Sequence, residues 1–97
     1  MPKYPKVASV VPLLEKRLRV VFRSGDVNIY DCTPLLNEDA FASLKDDVFF
    51  RNVKVDSAGY GIVWNDFVDL SESELWINGV AELDTSTKVE QNTSIPQ

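Results

Sequence analysis

The stretch Leu18-Arg19-Val20-Val21-Phe22-Arg23-Ser24-Gly25-Asp26-Val27-Asn28-Ile29-Tyr30-Asp31 decides the fold. Leu18, Val20 and Phe22 alternate with Arg17, Arg19 and Val21, and Val27 and Ile29 alternate with Asn28 and Tyr30. A period of two is what side chains follow on half-buried strands. Between the runs stands Ser24-Gly25, a two-residue loop whose glycine supplies the positive φ of a tight hairpin turn. Such a loop sets Phe22 opposite Val27 and Val20 opposite Ile29, gathering the apolar side chains on one face.

Upstream, residues 7–14 (Val-Ala-Ser-Val-Val-Pro-Leu-Leu) form a β-prone apolar run holding Pro12. Proline cannot donate to a ladder, so this is an edge strand or one that bends there. Glu15 and Lys16 turn it into the hairpin, giving a three-stranded meander over residues 7–30. After Asp31, Cys32-Thr33-Pro34-Leu35-Leu36 leaves the sheet, and Asn37 or Asp39 caps a short helix over residues 38–45. Phe41 and Leu44, three apart, share a face of it. Phe49 and Phe50 place one ring in the core and one at its margin.

A second hairpin follows. Val53 and Val55 alternate with Asn52 and Lys54, and an Ala58-Gly59 loop pairs Ser57 with Tyr60, Val55 with Ile62 and Val53 with Trp64. The chain leaves the sheet over residues 65–70. Ser71 and Glu74 then have capping-box spacing, the serine hydroxyl serving the Glu74 N–H and the Glu74 carboxylate reaching back. A last helix over residues 72–78 points Leu75 inward and stops at Gly79. The expected class is α+β: two hairpins and a meander sheet with two short helices, in the order β-β-β-α-β-β-α, as a single small domain over residues 1–83. Its halves make a weak pseudo-repeat. Residues 84–97, polar and without periodicity, read as a flexible C-terminal tail.

Composition bounds the function. A chain of 97 residues, 44 % hydrophobic and 26 % charged, has the make-up of one ordinary globular domain. Nothing approaches the roughly 18 apolar residues of a membrane span, and Met1-Pro2-Lys3-Tyr4-Pro5-Lys6 lacks the apolar stretch of a signal peptide. No membrane association and a cytoplasmic location are therefore expected. Cys32 is the only cysteine, which excludes an internal disulfide and fits a reducing compartment. The absence of histidine excludes histidine-based catalysis and metal sites.

The net charge of −5 hides a division. Residues 1–25 carry six basic side chains and one acidic, whereas residues 26–79 carry three basic and eleven acidic. Lys16, Arg17, Arg19 and Arg23 either pair with acidic neighbours, as Arg23 and Asp26 would across the turn, or form a basic stripe for an acidic partner. Repulsion from so acidic a chain makes nucleic-acid binding by this chain alone unexpected.

Aspartates at strand exits, Asp31, Asp56, Asp66 and Asp69, are the one residue type numerous enough to build a site. Asp56, Asp66 and Asp69 are the candidate ligands for a divalent cation, which takes oxygen donors; the competing role is the ordinary one of aspartate in turns. Two carboxylates near Trp64 would also suffice for acid–base chemistry, although no spacing marks a catalytic motif. Cys32, without a histidine to activate it, reads as a small buried residue. No cofactor motif is present. Trp64 belongs to the core, while Trp76 and Phe67, with Arg17 and Arg19, are the candidate contacts for another protein chain.

Four runs then resemble one family: Phe22-Arg23-Ser24-Gly25, Asp31-Cys32-Thr33-Pro34-Leu35-Leu36, Phe49-Phe50-Arg51-Asn52-Val53-Lys54-Val55-Asp56, and Gly61-Ile62-Val63-Trp64-Asn65-Asp66-Phe67-Val68-Asp69-Leu70-Ser71 with Leu75 after it. In this order they are similar to the small bacterial family called domain of unknown function 2442, over residues 7–79. The resemblance implies a compact α+β domain, found alone or attached to a helix-turn-helix regulator. It also implies frequent encoding beside another small protein, which has suggested toxin–antitoxin pairing. The chain departs from the family's pattern at Phe67, where glycine is common, and at Glu72, where proline is; Asp69 matches. No catalytic residue carries over. The expected function is that of a non-enzymatic protein-interaction module, an antitoxin-like partner of an adjacent small protein. The alternatives are a regulatory domain sensing a small ligand and, last, a carboxylate-based enzyme. A homodimer through the Pro12 edge strand is a further option.

Overall fold

Seven strands and two short helices make up the computed structural model, which describes residues 3–82. Strands β1 (Val7–Leu13), β2 (Arg17–Phe22), β3 (Val27–Asp31) and β7 (Val80–Ala81) form one antiparallel sheet in the order β1-β2-β3-β7. Strands β4 (Lys54–Val55), β5 (Gly61–Val63) and β6 (Asp69–Ser71) form a second. Helices α1 (Asp47–Arg51) and α2 (Glu72–Asn78) complete an α+β domain. β1 lies at a sheet edge, where Pro12 costs no ladder bond to an outer neighbour. Strands β6 and β7 are additions to the expected order. The expected tail, residues 84–97, lies outside the described residues.

The first hairpin corrects the expected register. Its loop has three residues, Arg23-Ser24-Gly25: the Phe22 N–H donates to Asp26 O (2.9 Å) and the Gly25 N–H to Phe22 O (2.9 Å). Gly25 takes φ +96°, a conformation that glycine adopts without strain. Val21 consequently faces Val27, Val20 faces Asn28 and Leu18 faces Tyr30. One residue of slip exchanges the faces of β3, so Asn28 and Tyr30 turn inward and Val27 and Ile29 outward. Partners on α2 offset the burial of two polar side chains. Asn28 Nδ2 donates to Leu75 O (3.2 Å) and Trp76 O (3.4 Å), and the Tyr30 hydroxyl donates to Glu74 Oε2 (2.7 Å).

The second hairpin has the expected register, Val55 opposite Ile62, with Gly59 at φ +82°. Asp56 Oδ2 accepts the N–H groups of Ala58 (2.9 Å) and Tyr60 (3.3 Å), which sets the turn. Gly61 is required by a close approach: a Cβ there would lie 2.1 Å from Leu70 O on β6.

The segment expected as a helix over residues 38–45 is a 3-10 stretch, Asp39–Lys45, which extended Glu38 separates from a first 3-10 stretch, Thr33–Asn37. No side chain caps the second stretch. The i, i+3 spacing of Phe41 and Leu44 suits a 3-10 helix, where such positions eclipse, and Leu44 is fully buried. The α-helix begins later, where Asp46 accepts Val48 N–H (2.9 Å) and Phe49 N–H (3.4 Å) as an N-cap. Phe50 is buried and Phe49 half-buried, as expected.

α2 has its expected span, with Ser71 Oγ accepting the Glu74 N–H (3.2 Å) and Leu75 buried. The other half of the capping box does not form, because the Glu74 carboxylate is taken by Tyr30 and by Asn78 Nδ2 (2.9 Å). Gly79 ends the helix in extended backbone; a Cβ there would meet Leu75 O at 2.5 Å. The core, including Leu18, Val20, Phe22, Phe50, Ile62 and Leu75, is sealed by the Trp64 indole N–H, which donates to Phe50 O (2.9 Å).

Candidate functional site

Alternation along β2 puts Leu18, Val20 and Phe22 in the core, so the side chains between them face outward with their cross-strand neighbours. On this outer face Val11 lies opposite Arg19, Val21 opposite Val27, and Ile29 opposite Arg19 and Val80. None of these valines, nor Ile29, belongs to the core cluster; Val11 is 46 % and Val80 61 % exposed. Both arginines expected to contact a partner are here. Arg19 Nε holds Glu82 Oε1 at 2.9 Å, and Arg17, opposite Asp31, donates from Nε to Leu14 O at 3.3 Å.

The wider basic stripe does not assemble. Lys16 leaves it: its amine donates to Lys45 O (3.2 Å), ion-pairs with Asp47 and lies 5.2 Å from the centre of the Phe50 ring. The hydrogen bond from Lys16 holds the Asp47 carboxyl below its usual range. Arg23 turns to the tip of the second hairpin, Nη2 to Ala58 O at 3.4 Å. Lys16 sits in a strained turn, for it and Glu15 both adopt left-handed backbone, φ +59° and +63°.

The two aromatic candidates part company. Trp76 is half-buried, its ring meeting Phe22 edge to face at 5.1 Å and 86°. Phe67 is 89 % exposed. Its turn is fixed nonetheless: Asn65 Oδ1 accepts the N–H groups of Phe67 and Val68, each at 2.9 Å, and Trp64 N–H donates to Val68 O (2.9 Å).

Asp56, Asp66 and Asp69 line one open cleft of about 500 Å³, shared with Lys54, Val63 and Asn65 among others. The cleft lies on the outer side of the second sheet, where Lys54, Val63 and Asp69 stand abreast. Among the described residues, however, no three acidic or cysteine side chains group closely enough to hold a metal ion. Asp56 is engaged by its own turn, and Asp31 by Thr33, whose hydroxyl and N–H lower the Asp31 pKa. Two further depressions are a groove of about 310 Å³ beside the strained turn and one of about 360 Å³ between Tyr4, Tyr60 and Glu72.

Cys32 is fully buried, and burial, then the nearby Asp31, push its thiol up to about 12, far from a nucleophile at neutral pH. Burial and the hydrogen bond to Glu74 likewise raise the Tyr30 phenol, which holds its proton as a donor. The Asn28, Tyr30, Glu74 and Asn78 network was missed from sequence, as was the apolar outer face. The signal for that face was present in Val11, Val21, Val27 and Ile29, all apolar at alternating positions, but the two-residue loop placed half of them inside.

No helix among the described residues is long and apolar enough to cross a membrane. Comparison with curated proteins and with solved structures returned no match. The family model described as protein of unknown function, DUF2442, matches residues 7–80, beginning with β1 and ending in β7, and the chain belongs to that family.

Proposed function

We propose that this chain is a non-enzymatic protein-interaction module that receives a partner chain on the outer face of its four-stranded sheet. The composition of that face carries the assignment. Antiparallel sheets with one side in water alternate apolar inward and polar outward, whereas here Val11, Val21, Val27, Ile29 and Val80 stand outward and outside the core cluster. A partner laid over them gains about 25 cal/mol for each Å² of apolar surface removed from water. Arg19 stands within the stripe, between Val11 and Ile29, with its charge met by Glu82, and Arg17 lies at the end of the stripe opposite Asp31. An antitoxin-like role is the narrower form: the partner alone would then arrest growth and be neutralised by this chain.

Co-expression with the product of the adjacent gene, followed by size exclusion with light scattering, tests the assignment. A stable complex is expected with the wild type and not with Val11→Lys/Ile29→Lys, which should still melt cooperatively, about 4–8 °C or somewhat more below the wild type, because both side chains face outward and Ile29 is only half-buried. Recovery of this chain alone at low salt, or a complex that survives the double variant, overturns it.

A further inference from the structure

Arg19 is the odd residue of the outer sheet face. Val11, Arg19, Ile29 and Val80 stand abreast on β1, β2, β3 and β7, and Val21 and Val27 stand abreast one rung further along. The Arg19 side chain, 41 % exposed, therefore rises from the middle of an apolar surface. A guanidinium carries five N–H donors. Among the described residues it has one partner, Glu82 Oε1, which takes the Nε–H at 2.9 Å. The four N–H groups on its two terminal nitrogens have no acceptor among those residues, which costs nothing while the face is in water. A partner that covers Val11, Ile29 and Val80 must also strip water from these N–H groups. Left without an acceptor, they would forfeit much of what burial of the neighbouring side chains gains.

We infer that the protein chain received on this face presents an aspartate or glutamate flanked by apolar side chains, its carboxylate closing on the two terminal nitrogens of Arg19 while its neighbours pack on Val11, Val21, Ile29 and Val80. The inference rests on the sheet-face reading above and names the chemistry of its occupant. A carboxylate suits the position because its two oxygens match the parallel N–H pair at the end of the guanidinium, leaving Nε to Glu82. The local charge agrees, since residues 1–25, which supply β1 and β2, carry six basic side chains and one acidic. A second copy of this chain joined face to face brings no free carboxylate. Glu82 is held by its own Arg19, and Asp31 stands opposite Arg17 and accepts the Thr33 N–H at 2.9 Å.

Panning a random dodecapeptide display library against the full chain tests this, with selected peptides then titrated by fluorescence anisotropy. Enriched peptides should carry Asp or Glu among Leu, Ile, Val or aromatic residues. Arg19→Gln should weaken them about tenfold or more, as loss of a central interface arginine does. Changing the peptide's acid to its amide should cost as much on the wild type and nothing further on Arg19→Gln, the signature of a direct pair. The circular dichroism melt of Arg19→Gln should nearly overlay the wild type, because an ion pair this exposed adds little to folding. Val11→Thr/Ile29→Thr, which removes apolar contact without adding charge, should also weaken the peptides. Selection of wholly apolar or basic peptides, or of acidic ones indifferent to Arg19→Gln, overturns the inference. Where such peptides are still lost in Val11→Thr/Ile29→Thr, the sheet-face reading stands without it. Failure to enrich any peptide, or self-association of the chain through this face, also overturns it, and the co-expression experiment then decides the sheet-face reading by itself.

Discussion

Asn28 and Ile29 are neighbours whose roles are exchanged by one residue of loop length, and truncating each to alanine measures which register the chain adopts. With the three-residue loop, Asn28 is 7 % exposed and donates to two carbonyls in the last turn of α2. Asn28→Ala removes the donor and leaves Leu75 O, at 3.2 Å the better of the two, facing a dry gap. A buried polar group stripped of its partner costs about 1–3 kcal/mol, and about 2 kcal/mol is expected here because the second bond, to Trp76 O, is longer and only part-buried. For a domain of this size each kcal/mol lowers the melting temperature by about 4–8 °C, so a fall of roughly 8–16 °C is expected. Ile29, half-exposed on the outer face, loses only partial burial and some strand preference on becoming alanine, about 1 kcal/mol.

A two-residue loop reverses the order. Ile29 would then be a core residue, and its truncation would cost about 2–5 kcal/mol, while Asn28→Ala on the wet side would be close to neutral. Urea unfolding followed by circular dichroism, with the denaturant slope compared across variants to confirm two-state behaviour, separates the outcomes. Ile29→Ala costing as much as Asn28→Ala, or more, refutes the three-residue register and with it the apolar outer face.

Gly61→Ala should be the most damaging small substitution, because its Cβ would fall 2.1 Å from Leu70 O. A loss above about 3 kcal/mol, or of the cooperative melt altogether, is expected, and an undisturbed melt contradicts the close β5–β6 approach. Glu15→Gly should raise stability by about 0.5–1 kcal/mol, since glycine relieves the left-handed strain at φ +63° by more than it adds to unfolded-chain entropy. An unchanged or lower urea midpoint argues against that turn. Alkaline pH should destabilise the fold. The Cys32 thiol and Tyr30 phenol have folded values raised above their ordinary 9.0 and 10.0, so the folded chain keeps protons that the unfolded chain releases. Their stabilisation is whole below about pH 9 and is lost as pH rises, by about 2 kcal/mol from the thiol and about 1 kcal/mol from the phenol at about pH 10.5. The fall in urea midpoint between about pH 7 and pH 10.5 should shrink in Cys32→Ala by the thiol's share, and an equally steep fall in that variant excludes this origin.

What could be read from the sequence follows the range of the interactions that decide it. The Ala58-Gly59 hairpin and the span of α2 are set by groups within a few residues, Asp56 with Ala58 and Tyr60, Ser71 with Glu74, and both were legible. The first hairpin was not, because its two loop lengths differ in which residues enter the core, and the answer depends on partners 44 and 47 residues away. Alternation of Val27 and Ile29 favoured the apolar answer; Leu75 O, Trp76 O and Glu74 make the polar one affordable. β7 is two residues long and exists by its pairing with β3, again a distant choice. At the surface, exposure of Phe67 and the shared setting of Arg17 and Arg19 were readable, whereas the half-burial of Trp76 depends on Phe22 across the core.

The misread register and the proposed binding face are one physical fact. Burying Asn28 and Tyr30 gives the sheet a polar clasp on α2, and strand geometry then forces Val27 and Ile29 out to join Val11, Val21 and Val80. A chain under no demand but stability could have satisfied β3 with apolar residues inward and polar ones outward, at less risk of unpaired groups. Placing the apolar residues on the wet side adds little to the isolated fold; the proposed partner would make the arrangement favourable by covering them. If Ile29→Ala proves as costly as a core truncation, there is no such face and no reason drawn from it for a partner.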